Sequence, residues 1–260
     1  MTNKEIMQIA LQQQAYDMNC KPEDFSAAEN VIVISKPNEK ARKYLNLPFF
    51  CNLCTYGNNV VASVDERVVE LVRKYLDSEK KSNGTNFESF LTPRIHLLTE
   101  EFAKYEKLTC FMAEYFLPDV EILKPLSCSY EIKLLMPTDF TDLYTAQWRN
   151  ALCKYRKHLD VLAIAAFDNG KMIGLAGLSS DGDDMWQIGV DVLTEYRRQG
   201  IASALTSRLA IEIIARGKIP FYCCAWSNIR SVRNAIKSGF HPAWVEFTAI
   251  DKEKAAEYMR

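Results

Sequence analysis

Apolar positions along the chain recur either every second residue or every third and fourth, and these two periods separate strands from helices. In the second half, Tyr130-Glu131-Ile132-Lys133-Leu134 alternates like a strand, and Pro137-Thr138-Asp139 opens a helical stretch through about Tyr155. The apolar runs Val161 to Phe167 and Lys171 to Ser179 flank Asp168-Asn169-Gly170, a hairpin signal. Met185 to Leu193 is the next strand; it stops in a basic turn that carries Gly200, and an amphipathic helix follows from Ile201. That helix ends at Arg216-Gly217. Ile219 to Ala225 then reads as a buried strand with Pro220 at its start. Ser227 or Asn228 caps a short helix, Gly239 closes it, and Ala243 to Ile250 is a late strand.

Upstream, Asn3 to Met18 is helical in pattern, and Val31 to Ile34 and Phe49 to Cys54 are predicted strands. Val64, Val68, Leu71, Val72 and Tyr75 share one helical face of a segment ending near Leu76, and Lys80 to Asn86 reads as a polar loop. Thr92-Pro93 opens a further helix, and Leu108 to Phe116 is a strand. Pro118, Asp119, Pro125 and Ser127 interrupt the pattern, which places a boundary there and predicts domains at 1–125 and 126–260. The first is a small α/β domain, either a lid or substrate platform or a packing or dimerisation module.

At 260 residues, 48% apolar and 25% charged, the chain can bury a substantial core. A net charge of −1 provides no broad basic field, which argues against nucleic acid and anionic membranes as partners. The sequence has no run of about 18 apolar residues and no secretory layout at Met1-Thr2-Asn3-Lys4-Glu5, so a cytoplasmic protein without membrane attachment is expected. Its eight cysteines sit mostly in apolar runs. Cys51-Asn52-Leu53-Cys54 has no second ligand pair, so buried strand cysteines are expected there, with no metal site and no redox use.

The chemistry starts at the turn before Ile201. A strand that stops where a helix begins leaves the first helical N–H groups without partners and puts the positive end of the helix dipole behind them. An anion site is therefore predicted. Gly200 admits close backbone approach, Ala202 keeps the next position small, and Arg197 and Arg198 add charge suited to a polyanion. The turn lacks both the P-loop pattern and the three spaced glycines of a dinucleotide fold.

The pattern R-x-x-G-x-A, filled by Arg197, Gly200 and Ala202 after the strand Val190 to Val192, resembles the acyl-CoA signature of the GNAT superfamily of N-acetyltransferases. Asn228 through Gly239-Phe240 is similar to the family's second element, a strand, a capping Asn, a short helix and a closing Gly-Phe. The resemblance covers roughly residues 130 to 250. It implies an α/β (α+β) fold with a mixed, mostly antiparallel sheet flanked by helices. It also implies acetyl-CoA as co-substrate and direct transfer of acetyl to a primary amine of a small molecule in a ternary complex. By resemblance, the backbone of Val190, Asp191 and Val192 pairs with the pantetheine arm, and the Val192 N–H faces the thioester oxygen. The pyrophosphate would rest on the amides of Arg198, Gln199, Gly200, Ile201 and Ala202, with Ser203, Asn228 and Ser231 also at the cofactor.

Two positions depart from the family. Ala235 stands where many members place a Tyr that protonates the leaving thiolate, and Trp186 with Gln187 stands where some carry a Glu base. Asp184 shares an alternating face with Trp186 and Val192 and is the candidate base, with a solvated acidic turn as the alternative. His158 and His241 are candidates for proton transfer or are structural. Trp186 suits a pocket wall, and Arg230, Arg233 and Lys237 suit either the 3′-phosphate of CoA or a solvated helix face. The missing acid and base leave a second reading open, an acyl-CoA-binding sensor or scaffold without turnover. A homodimer is also open.

Overall fold

The computed structural model describes residues 1–83 and 95–258. In chain order the first elements are α1 (Asn3–Met18), β1 (Val31–Ile34), β2 (Cys51–Thr55), β3 (Val61–Val64), α2 (Val69–Asn83), α3 (Ile95–Ala103) and β4 (Lys107–Pro118). They are followed by β5 (Glu131–Leu135), β6 (Asp160–Asp168), β7 (Lys171–Ser179), β8 (Met185–Val192), α4 (Ile201–Ala215), β9 (Ile219–Ala225), α5 (Ile229–Lys237), β10 (Phe240–Asp251) and α6 (Lys252–Tyr258). Helix α2 runs through Lys80, where a polar loop was expected, and the expected cap at Thr92-Pro93 lies outside the described residues. Among the described residues, no helix is long and apolar enough to cross a membrane.

Two compact units are present. One holds Met1–Ala10, Arg42–Tyr44 and Tyr115–Pro242; the other holds the described residues of Leu11–Ala41, Leu45–Glu114 and Ala243–Arg260. This division differs from a linear cut between residues 125 and 126 because strand pairing, not chain order, decides membership. Val245 to Ala249 of β10 pairs antiparallel with Thr55 to Cys51 of β2.

In the second unit β1 pairs parallel with β3, and β3 pairs antiparallel with β2. Every residue of β2 is buried, so Cys51 and Cys54 are core thiols, and burial pushes the Cys51 thiol well above its usual range. Phe50, Leu53, Val64, Val72, Leu76, Phe102 and Phe247 pack there. A buried polar group is also satisfied: Glu246 accepts from Gln14 Nε2 at 3.0 Å, Trp244 Nε1 at 2.8 Å and Asn52 Nδ2 at 3.4 Å.

In the first unit the strand order is β4-β9-β8-β7-β6-β5. Pairing is antiparallel from β5 to β8 and parallel between β8 and β9. Asn169 and Gly170 both have positive φ, +48° and +81°, as the two-residue hairpin between β6 and β7 requires. Helix α4 packs on one face of this sheet through Ile201, Leu205, Leu209 and Ile213.

The opposite face of the sheet is covered by irregular chain. The helix expected from Pro137 through Tyr155 is absent; in its place are the short 3-10 turns Pro137–Asp139, Ala146–Trp148 and Lys157–Leu159. Thr141, Asp142 and Thr145 interrupt the apolar spacing with residues that favour local turns. The chain also lies closer to the sheet than a helix could. A Cβ on Gly177 would overlap the Ala151 carbonyl, and one on Gly189 would overlap that of Asn150. Phe140, Trp148 and Leu152 still bury themselves against Ala163, Ala165 and Leu175.

Candidate active site

Parallel pairing between β8 and β9 runs from Met185 opposite Ile219 to Ile188 opposite Tyr222 and ends there. Strand β8 nevertheless continues to Val192, paired on its other edge with β7 as far as Gly174. Gly189 to Val192 therefore has one paired edge and one open edge. The Leu193 N–H donates to Ile173 O at 2.9 Å on the β7 side. Because alternate residues turn their backbone groups to opposite edges, Asp191 shares that side, while Val190 and Val192 face the opening. Arg197 Nε reaches the Val192 carbonyl from the open side at 3.1 Å.

The chain then turns through Arg198 (φ +66°) and Gly200 (φ +82°) into α4. The bond from Ala204 N–H to Gly200 O, 3.0 Å, is the first of the helical ladder, so the amides of Ile201, Ala202 and Ser203 precede it. A cleft of about 880 Å³ opens onto these amides. It is lined by Val190, Asp191, Val192, Arg197, Arg198, Gly200, Ile201, Ala202, Ser203, Asn228 and Ser231. Gln199 is not in the lining; its Oε1 accepts from the Tyr130 hydroxyl at 2.7 Å. Arg230, Arg233 and Lys237 line the same cleft, and Lys237 Nζ stands 3.8 Å from where a Cβ on Gly200 would lie. Five cationic side chains thus surround a turn of unsatisfied amides, which suits a polyanion. Asn228 caps α5 by accepting from the Ser231 N–H at 3.3 Å.

A second cavity, about 420 Å³, shares Asn150, Val190, Tyr222, Asn228 and Ser231 with the cleft. Residues around Arg149 to Cys153 cover it, and Gln187, Gly189, Ser179 and Asp160 line it from the sheet. The cover is latched by Asp191, whose carboxylate accepts from Asn150 N at 2.8 Å, Asn150 Nδ2 at 2.6 Å and Ala151 N at 3.0 Å. Val192 lines the cleft but not this cavity, whereas Val190 lines both.

Asp160 was not singled out by its sequence. It opens β6 opposite Ser179, which stands opposite Gln187, so the three form one row across the sheet. The residue is 4% exposed and its Oδ2 has no hydrogen-bond partner among the described residues. Burial pushes its carboxyl up to about 6. The polar groups of Tyr144 and the Cys153 backbone nearby and the charge of Arg156 oppose that rise, and Asp181 adds to it. Asp181 is itself buried, bonded to Arg156 Nη1 at 2.7 Å and Ser179 Oγ at 3.0 Å. The one available signal was an acid opening a buried apolar run; its partners assemble only through register.

The other candidates fall elsewhere. Asp184 is exposed and pairs with Lys218 Nζ at 3.1 Å, lining neither cavity, so as a base it is replaced by the solvated alternative. Trp186 packs against the α4-side core instead of forming a cavity wall. Neither His158 nor His241 is in either lining. Gln187 Nε2 donates to Cys223 Sγ at 2.9 Å, and its neutral amide cannot accept a proton near neutral pH.

A mostly antiparallel sheet that parts beside a helix N-terminus is the arrangement that the resemblance to the GNAT superfamily implies. Residues 129–240 match the acetyltransferase (GNAT) family, so the C-terminal half of this chain contains a GNAT acetyltransferase domain. That family generally transfers acetyl groups from acetyl-CoA. Among solved structures, one from Novosphingobium aromaticivorans assigned to the GNAT family shares 18% identity, with a TM-score of 0.42. The match covers 55% of this chain and 66% of that one. A GCN5-related N-acetyltransferase-like protein from Streptococcus suis shares 19% identity over 65% of this chain and 74% of its own, with a TM-score of 0.44. A GNAT-family acetyltransferase from Colwellia psychrerythraea shares 11% over 80% and 84%, with a TM-score of 0.46. No curated protein matches the chain.

Proposed function

We propose that this protein transfers the acetyl group of acetyl-CoA to a primary amine of a small molecule, by direct attack within a ternary complex. The observation that carries this reading is the parting of β8 from β9 beyond Ile188 and Tyr222, which joins a cationic, amide-lined cleft to a smaller cavity. The diphosphate rests on the amides after Arg197, and Gly200 allows its close approach. The pantetheine arm pairs with the open edge of β8. The oxyanion donor is the Val190 N–H in preference to that of Val192, because Val190 faces the cavity where an acceptor would stand. A volume of about 420 Å³ suits a small acceptor.

Thiol release from acetyl-CoA, measured against a panel of primary amines, tests this reading. Amine-dependent release is expected. Ala235 in place of the family's Tyr, and Trp186 with Gln187 beside it in place of the Glu of some members, favour the alternative, a CoA-binding sensor. Tight CoA binding without release across the panel would decide for that alternative.

A further inference from the structure

Building on the transferase reading, we propose that Asp160 accepts the proton of the incoming amine and draws its ammonium form into the cavity. Among the described residues that line that cavity, Asp160 is the one carboxylate and there is no histidine. Asp160 stands in a transverse row with Ser179 of β7 and Gln187 of β8, on the strand two away from the one that parts from β9. An oxygen buried without a partner is a liability to folding that a bound ammonium group would relieve.

The charged and titratable groups facing it are Tyr144, Cys153 and Arg156 from the covering segment and Asp181 from beyond β7. Together with burial they leave the carboxyl titrating at about 6, largely ionised at neutral pH yet basic enough to take a proton.

The ammonium gives one proton to Asp160, directly or across one water, and the freed nitrogen lone pair attacks the thioester carbonyl carbon. The C–N bond forms, the C–S bond breaks, and the electron pair leaves on sulfur. The nitrogen's second proton ends on that thiolate, and Asp160 passes the first to solvent. One proton is released per turnover.

The test compares wild type with Asp160→Asn, using acetyl-CoA and those amines of an alkylamine, arylalkylamine, polyamine and amino-acid panel that support thiol release. Expected is a fall in kcat/KM of about 100- to 10,000-fold in the variant, with CoA affinity unchanged. The wild-type kcat/KM profile should also carry an acid limb near pH 6 that stays fixed when amines of different pKa are compared and is missing in the variant. A rate retained within about threefold, or a wild-type profile flat through that region for two amines, overturns the assignment. The wild-type profile decides even if the variant does not fold. Absence of amine-dependent release by wild type instead sinks the transferase reading on which this proposal rests, so the two failures are distinguishable.

Discussion

At the scale of single residues, Asp160 and Gly200 carry the sharpest consequences. The folded state holds the Asp160 carboxyl at about 6, above the ordinary value of 3.8. The unfolded chain therefore sheds this proton first as pH rises, and the group's contribution to stability falls between those two values and stays low above 6. Asp160→Asn should accordingly raise Tm at pH 8, and the gain should shrink as pH drops through 6 toward 4. Thermal denaturation across that range checks the sign; a uniform loss of Tm would mean that the carboxylate is structural. Gly200 has open space where a side chain would project, apart from Lys237 Nζ, but its φ of +82° disfavours any β-branched residue. Gly217 shares that strain, at φ +73°, with no described atom within 4 Å of where a Cβ would lie. Gly217→Val is therefore a strain-matched control. Both variants should lose similar stability, of the order of 1–2 kcal/mol, while only Gly200→Val should lose CoA binding.

At the scale of elements, the segment covering the second cavity is held by three hydrogen bonds to one carboxylate and by close approach to two glycines. Gly189→Ala should push it off the sheet, because the new methyl would meet the Asn150 carbonyl, a backbone atom that cannot turn away. Expected is a loss of amine-dependent activity larger than the loss of CoA affinity, read by steady-state kinetics beside calorimetric titration. This segment is also where the sequence was least informative. The strand-turn-helix at Gly200 and the hairpin at Asn169-Gly170 were legible because each is dictated by local chemistry, a φ angle or an unsatisfied amide. The parting of β8 from β9 and the row joining Asp160, Ser179 and Gln187 are matters of register, which neighbouring residues do not encode. Between Pro137 and Tyr155, helix-like spacing was overridden by the backbone contacts that Gly177 and Gly189 permit. Lys237 fell among open alternatives for the same reason, since its approach to Gly200 links two helices.

At the scale of the whole molecule, family membership is established for residues 129–240, and the whole of the second compact unit lies outside that segment. Its buried Glu246 is satisfied by Gln14, Asn52 and Trp244. Removing that acceptor with Glu246→Ala leaves three donors without it, and a loss of roughly 2–4 kcal/mol is expected. Chemical denaturation measures it. The same substitution should leave the affinity for CoA unaltered, because Glu246 lines neither cavity. Charge provides a further test at this scale. The chain is nearly neutral overall, yet five cationic side chains meet at one cleft, so CoA affinity should weaken steeply with added salt. The most direct measurement is calorimetric titration of CoA into wild type, Gly200→Val and Gly217→Val. Binding by wild type and Gly217→Val is expected, with a loss of about a hundredfold or more in Gly200→Val. Equal affinity in all three proteins, or no binding by wild type, would contradict that expectation.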